Sequence, residues 1–480
     1  WYSNAVDDRT LFWGAARVTS VSASQFCYGS SKFSAVSQGG NSVFQHKSIF
    51  NPSYAEIDLS PTRQLENVEG GGSLLLCGGL LWEYAGDVMK ENGFLTYPQV
   101  SEVVSSYAIT AFAAAGTDLI RVTVSSPTPI GYKVGDTVEI SGTTNFNYDE
   151  YSITAVDTAN NTFDTAKAGA FPGTDTGKVQ LVGGALNDGA PSTLNEYNYM
   201  VTYEWTNVNG DIQRSYPSGA ISATVDGVGT DTTGRVRIRA YTPQWTQKSL
   251  ANGVSNPNIV LYRTEKGKAA FYRVAAAPVD FETTIQDIDD ALVSSSALTD
   301  NEPIYSTGAV GDIYGNIAPP CCTDIILHKN RMFLSTIDGA VWYSKKLTPK
   351  RGAEFSDFQV KPIENYKSSI ACLGSVREYV IVITTENAYL IGGEGPNAAG
   401  GGTDFSPPTI FSRDAGAAIG CARAPSPVGF FYNANGGVYR VTPSMQVEWI
   451  GAAVEDTVDS YGITRAAVND TEGEIYFGLD

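Results

Sequence analysis

The sequence predicts an all-β protein, a discontinuous β-propeller interrupted by a small β-barrel and a fibronectin type III-like β-sandwich. Three observations carry that expectation. Gly 49, Tyr 26 and Phe 20 among 480 residues, with 17% charged, describe short strands joined by tight turns rather than long polar helices. A strand–turn–strand unit with an aromatic in its second strand recurs along the chain. It recurs at intervals close to the 40–50 residues or so that a four-stranded propeller blade occupies.

The first copy runs Ser73-Leu74-Leu75-Leu76-Cys77, turns at Gly78-Gly79 and continues Leu80-Leu81-Trp82-Glu83-Tyr84. The second joins Arg331–Ser335 to Ala340–Tyr343 through Asp338-Gly339, and the third joins Val380–Ile383 to Ala388–Ile391 through Glu386-Asn387. The fourth joins Gly429–Tyr432 to Gly437–Val441, and a fifth joins Ala466–Val468 to Glu474–Phe477. Gly, Asn and Asp suit these turns because they tolerate the positive φ of a tight hairpin. Trp342, Tyr389, Tyr439 and Tyr476 follow one another at 47, 50 and 37 residues. The last run, Glu474–Leu479, reaches almost to Asp480, as expected of a piece of a longer protein.

Between Trp82 and Trp342 the chain is too long for one blade step, so insertions are expected there. Short alternating strands around Tyr132–Ile140 and Tyr151–Val156, closed by Gly135-Asp136 and Asn160-Asn161, suit a small barrel or sandwich. Tyr197–Trp205 alternates aromatic and apolar residues with polar ones, Asn209-Gly210 is a hairpin turn, and Arg235–Arg239 alternates charge with Val and Ile. With Ile259–Thr264 and Ala270–Val274 these strands make a sandwich-like set. Gly308–Pro320, rich in Gly and Pro, reads as the return linker. The expected divisions are 1–105 for the first part of the propeller, 106–185 for the small module, 186–307 for the sandwich and 308–480 for the rest of the propeller.

A net charge of −19 and a pI near 4.6 oppose an electrostatic grip on nucleic acid, although an acidic wall suits a conduit along which phosphate must slide. The six cysteines, Cys27, Cys77, Cys321, Cys322, Cys372 and Cys421, show no metal-ligand spacing. Most lie in apolar runs and read as buried free thiols rather than as a disulfide framework. No apolar stretch reaches the roughly 18 residues of a membrane-spanning helix.

Nothing in the residues nominates a catalytic, cofactor-binding or metal-ligating set. Only His46 and His328 are present, and His328, between Leu327 and Lys329 at a strand end, reads as structural. No Gly-x-Ser-x-Gly elbow, His-Glu-x-x-His helix or phosphate loop ending in Lys-Ser/Thr occurs. Gly70-Gly71-Gly72 and Gly400-Gly401-Gly402 read as flexible loops. Asp287-Ile288-Asp289-Asp290 offers oxygen ligands for Ca²⁺ but lacks the glycine and distal glutamate of a calcium loop, and reads as a solvated acidic turn. Lys345-Lys346 with Lys350-Arg351 is the densest basic cluster, expected in a solvent-facing loop, with docking on an acidic neighbour as the alternative.

Gly78–Gly86 followed by Glu91-Asn92-Gly93-Phe94 and Pro98, and His328–Phe333 followed by Val341–Ser344 and Glu354-Phe355, resemble stretches of the tail proteins of short-tailed bacteriophages. Tyr203, Gly210-Asp211, Ser215–Ser218 and Leu261–Thr264 resemble the sandwich those proteins carry. Gly135–Val138 with Asn160–Phe163 resembles a small module of phage structural proteins. The resemblance is to the tail nozzle or hub, also described as head-to-tail stabilisation proteins. It implies a virion structural protein, not an enzyme, assembled in the host cytoplasm into a homo-oligomeric ring, expected to be a hexamer. The implied partners are the portal-adaptor proteins above, tail fibres or spikes outside, and genomic DNA passing through the channel without specific binding; no cofactor is implied. The alternatives are a carbohydrate-binding adhesin or lectin, using surface aromatics, and a glycan-degrading tailspike-type enzyme.

Overall fold

The computed structural model describes residues 66–479 except 87–88, 105, 127–129, 147–148, 167–174, 183–193, 227–234, 243–247, 249–256, 280–284, 291–297, 299–300, 302–303, 305–314, 337, 364–368, 398–401, 435–436 and 470–471, and, further towards the N-terminus, one pair of strands. That pair is β1 (Gln45–His46) with β2 (Ala55–Glu56). Among the described residues the chain is nearly all β, with one short α-helix, and its strands fall into several small antiparallel sheets.

Four of the sheets share one design, four strands laid side by side in chain order. The first is β3 (Asn67–Gly70), β4 (Ser73–Leu76), β5 (Trp82–Tyr84) and β6 (Met89–Glu91). Between it and the second sheet, the chain forms β7 (Gln99–Val104), then β8 (Ser106–Gly116), β9 (Leu119–Ser125), β10 (Thr137–Ser141), β11 (Asp149–Asp157), β12 (Thr162–Ala166) and β13 (Gly177–Leu181). It continues through β14 (Leu194–Thr206), β15 (Ile212–Arg214), β16 (Ile221–Asp226), β17 (Arg237–Tyr241), β18 (Asn258–Thr264), β19 (Phe271–Pro278) and β20 (Ile285–Asp289). The second four-stranded sheet is β21 (Cys322–His328), β22 (Arg331–Thr336), β23 (Ala340–Tyr343) and β24 (Val360–Pro362). The third is β25 (Ile370–Val376), β26 (Tyr379–Thr384), β27 (Ala388–Gly392) and β28 (Thr409–Ser412); the fourth is β29 (Arg423–Ser426), β30 (Gly429–Ala434), β31 (Gly437–Val441) and β32 (Val447–Trp449). A 3₁₀ turn (Gly451–Val454) and the helix α1 (Glu455–Tyr461) lead to the two-stranded sheet of β33 (Ile463–Asn469) and β34 (Glu474–Leu479).

The first strand of each sheet lies against the first strand of the next, β3 on β21, β21 on β25, β25 on β29, and β29 on β33. The second and third sheets are therefore packed on both faces. In β26, Val380 and Val382 enter the core shared with the second sheet, while Ile381 and Ile383 enter the core shared with the fourth. A strand buried on both faces reads as an unbroken apolar run instead of an alternating one, which is how Val380–Ile383 reads.

The recurring hairpin is the second and third strand of each four-stranded sheet, and Trp342, Tyr389 and Tyr439 sit on third strands. The fifth copy differs. Because β33 takes the place of a first strand against β29, Tyr476 is on a second strand, and the interval shortens from 50 residues to 37. Gly71 and Gly72, expected in a flexible loop, make the tight β3–β4 turn with φ of 65° and 85°.

The small module closes into a barrel in the order β10-β11-β12-β9-β8-β13, leaving no open sheet edge. Its interior holds Phe112 stacked on Phe146 at 4.3 Å and Tyr132 edge-on to Phe163. The sandwich packs the sheet of β15, β16, β14, β18 and β19 against the sheet β20-β17-β7. The boundary expected at 105 needs correction. β7 pairs with β17, so the sandwich begins at Gln99 and the barrel is inserted within it. The Gln99–Val104 segment reads as a continuation of the preceding sheet because its partner lies more than a hundred residues away in sequence.

Gly374 in β25 faces the ring of Phe430, and a Cβ there would stand 2.7 Å from ring atoms. Gly374→Ala is expected to lower stability by about 1–3 kcal/mol through overpacking, measured by urea unfolding, whereas Gly219→Ala, with open space around it, serves as the neutral control. Equal midpoints would contradict this packing.

Candidate functional site

The first strands of the four sheets meet at one buried ionic centre. Arg423, at the start of β29, donates from Nη2 to Asp324 Oδ1 at 2.5 Å, to Glu66 Oε2 at 3.0 Å and to the Ile325 carbonyl at 2.9 Å. Asp324 lies in β21 and also accepts from the Leu373 amide of β25 at 2.5 Å. Glu66 immediately precedes β3, so a single guanidinium and a single carboxylate connect all four sheets. Burial alone would lower the Arg423 guanidinium, but Asp324 and Glu66 hold it above its ordinary value. For Asp324, burial outweighs Arg423, and with Glu66 adding like charge the carboxyl is pushed up to about 6.

A second polar centre mounts the sandwich on the first sheet. Buried Glu83 of β5 accepts from Ser73 Oγ (3.0 Å), Asn92 Nδ2 (3.0 Å) and Asn207 Nδ2 (2.9 Å), and from Gln213 Nε2. Gln213 Oε1 in turn accepts from the Gly93 amide at 3.0 Å. Lys248 is fully buried beside it, donating to the Glu91 and Gly93 carbonyls at 2.6 and 2.5 Å and pairing with Glu91 Oε1 at 3.3 Å. Lys90 lies 4.4 Å from the Trp205 ring centre, a cation–π contact across the same junction. Burial lowers Lys248 below its ordinary value, and Glu91 and Glu83 oppose that shift.

A third centre mounts the barrel on the sandwich. Arg237 of β17 bonds Asp136 through both terminal nitrogens, at 2.7 and 2.8 Å, and Asp289 through Nε at 2.6 Å. Arg239 pairs with Asp287 at 2.9 Å and Glu102 at 3.2 Å, and Lys133 of the barrel pairs with Asp287 at 2.8 Å. Burial acts to raise Asp136, but the hydrogen bonds and charge of Arg237 hold it below the usual carboxylate range.

These contacts correct two expectations. Asp287-Ile288-Asp289-Asp290 is not a solvated acidic turn. Asp287 and Asp289 stand on β20 opposite Arg239 and Arg237, Ile288 points into the core, and buried Asp290 meets Arg263 at 2.8 Å and the Tyr199 hydroxyl at 2.9 Å. The basic loop after β23 is only partly solvent-facing. Ile212 donates to the Lys350 carbonyl at 3.1 Å and Gly352 donates to the Ile212 carbonyl at 3.2 Å, so the loop lies along the sandwich, with Lys346 and Lys350 exposed.

His328 is buried on β21, its Nδ1 2.8 Å from Ser375 Oγ of β25, and its Nε2 has no hydrogen-bond partner among the described residues. Burial, reinforced by Lys329, pushes this ring down to about 4, so it is neutral at pH 7. The pair hydrogen-bonds the second sheet to the third. The side chain of His46, Cys27 and the Gly400-Gly401 pair lie outside the described residues. Among the described residues no three His, Cys, Asp or Glu side chains converge as metal ligands, and no helix is long and apolar enough to cross a membrane.

Arg423, Asp324, Glu83 and Lys248 were not singled out by motif or spacing. The usable signal is a charge inside an apolar run, as in Cys322-Thr323-Asp324-Ile325-Ile326 and Leu81-Trp82-Glu83-Tyr84, since such a charge is buried only if paired. No protein-family model matches the chain, and no curated protein matches it.

Arg423→Met is expected to cost about 3–5 kcal/mol, because Asp324 and Glu66 would keep buried charge without a partner. Arg440→Met, at the more exposed pair with Glu448, should cost under about 1 kcal/mol; similar losses at both sites by urea unfolding would refute the central role. Two buried titrations also oppose each other. Asp324, raised to about 6, adds stability as pH falls from about 6 towards its unfolded value, and that gain is lost as pH rises again. His328, lowered to about 4, removes stability as pH falls from its unfolded value towards 4. Relative to the parent chain, Asp324→Asn should lose stability on acidification from pH 6.5 to 4, and His328→Gln should gain it. Urea midpoints across that range that run parallel for all three chains would contradict the assignment.

Proposed function

We propose that the chain is a structural protein of a phage tail, a nozzle or hub whose four-stranded sheets are the blades of a β-propeller. The observation that carries this reading is the arrangement of first strands about Arg423 and Asp324, with each four-stranded sheet extending from that centre in chain order. Radial sheets packed face to face make a stiff body, and stiffness suits a wall that works by shape. The sandwich, with the barrel inserted in it, forms one outgrowth between the first and second blades, in keeping with its fibronectin type III-like reading. Its buried polar mounts fix its direction, as a docking arm for neighbouring subunits, adaptor proteins or tail fibres requires.

The charge of −19 favours a conduit that repels DNA phosphate over a surface that binds it. The ring itself, a hexamer by resemblance, its place below the portal and adaptor, and its location in the virion are parts of the same proposal. Its function requires no cofactor and no chemistry of its own.

Negative-stain and cryo-electron micrographs of the purified full chain, alone and with the adaptor of its phage, should show closed rings with an axial channel. The same protein should map to the tail in images of the particle. A chain that stays monomeric at all concentrations, binds no adaptor and is missing from the particle would defeat the proposal, and saturable glycan binding by that monomer would favour the adhesin reading.

A further inference from the structure

We propose that Cys77 with Cys322, and Cys372 with Cys421, are two sites of reversible disulfide formation that staple neighbouring sheets when the protein meets a disulfide oxidant. All four are free and buried, and the two members of each pair lie together in one hydrophobic core, Cys77 with Cys322 and Cys372 with Cys421. Each pair joins different sheets. Cys77 follows β4 of the first sheet and Cys322 opens β21 of the second; Cys372 lies in β25 of the third and Cys421 stands two residues before β29 of the fourth.

The backbones beside each pair are already bonded. Cys322 donates its amide to the Gly79 carbonyl at 2.8 Å and accepts from the Gly79 amide at 3.0 Å, while Gly420 donates to the Ala371 carbonyl at 3.2 Å. A disulfide requires two backbones held close with both thiols in one place; the backbone bonds beside each pair hold the chains together, and each pair shares one apolar core. Cys321 is the nearest competitor in sequence, but it precedes β21, is only half-buried and lies outside the core that holds Cys77 and Cys322.

The chemistry balances with a small-molecule disulfide such as oxidised glutathione. One protein thiolate attacks it, forming a mixed disulfide and releasing one small thiol. The second protein thiol then displaces the other, closing the protein S–S bond; two S–H bonds and one S–S bond are exchanged for one S–S bond and two small thiols. Burial pushes the Cys77 and Cys372 thiols up, which keeps thiolate scarce and makes the reaction slow and dependent on opening of the sheets. The bonds would tie the first sheet to the second and the third to the fourth, while Arg423 ties the fourth to the first two. This inference does not depend on the proposed function.

The full chain would be incubated with oxidised glutathione, quenched in acid, denatured, alkylated and analysed by intact mass and peptide mapping. The expected result is Cys77–Cys322 and Cys372–Cys421 linkage, a Tm raised by several degrees without reductant, and reversal of both by dithiothreitol. Cys77→Ala should abolish only the first bond and Cys372→Ala only the second, each serving as the control for the other's folding. Low urea should speed formation several-fold if opening is limiting. Linkage through Cys321 or Cys27, bonds between chains, full alkylation after prolonged oxidation, or linkage without a rise in Tm would each overturn the proposal.

Discussion

The Arg423–Asp324 contact is the constraint on which the arrangement of the sheets depends. Neighbouring four-stranded sheets pack on one another through apolar side chains, but such packing is non-directional and tolerates sliding of one sheet over the next. A guanidinium with fixed donor directions does not. By bonding Asp324, Glu66 and the Ile325 carbonyl, while Asp324 takes the Leu373 amide, it sets where the first strands of four sheets meet. The His328–Ser375 bond repeats the device on a smaller scale between the second and third sheets.

Charge is used in the same way at the inserted modules. Glu83 and Lys248 orient the sandwich on the first sheet, and Arg237 and Arg239 orient the barrel on the sandwich. Buried ion pairs of this kind add little net stability, since desolvation consumes most of the Coulomb gain. What they impose is geometry, because a displaced module would leave buried charge unpaired. An acidic chain with few charged residues thus places many of its arginines and lysines at junctions, where one orientation satisfies them.

Thiols occupy a related position. Cys77, Cys322, Cys372 and Cys421 sit near the ionic centre, small enough to let first strands approach and apolar enough to fill the space between them. Their burial was legible from the apolar runs around them, whereas their pairing across sheets depends on which strands become neighbours. The same holds for Asp287 and Asp289, whose acidity suggests a solvated turn until Arg239 and Arg237 are found opposite them.

By itself the sequence determined the all-β class, the recurring hairpins and their turns, and the presence of inserted material between Trp82 and Trp342, because strand periodicity and turn chemistry are local properties. Only the tertiary structure decided that the hairpins are second and third strands, that β7 belongs to the sandwich, and that the last hairpin begins with a first strand. It also decided which charges are central. Arg423 and Glu66 are separated by nearly the whole described chain, and pairing over that distance has no signature in either residue's neighbours, since it arises only when four sheets bring their first strands to one place.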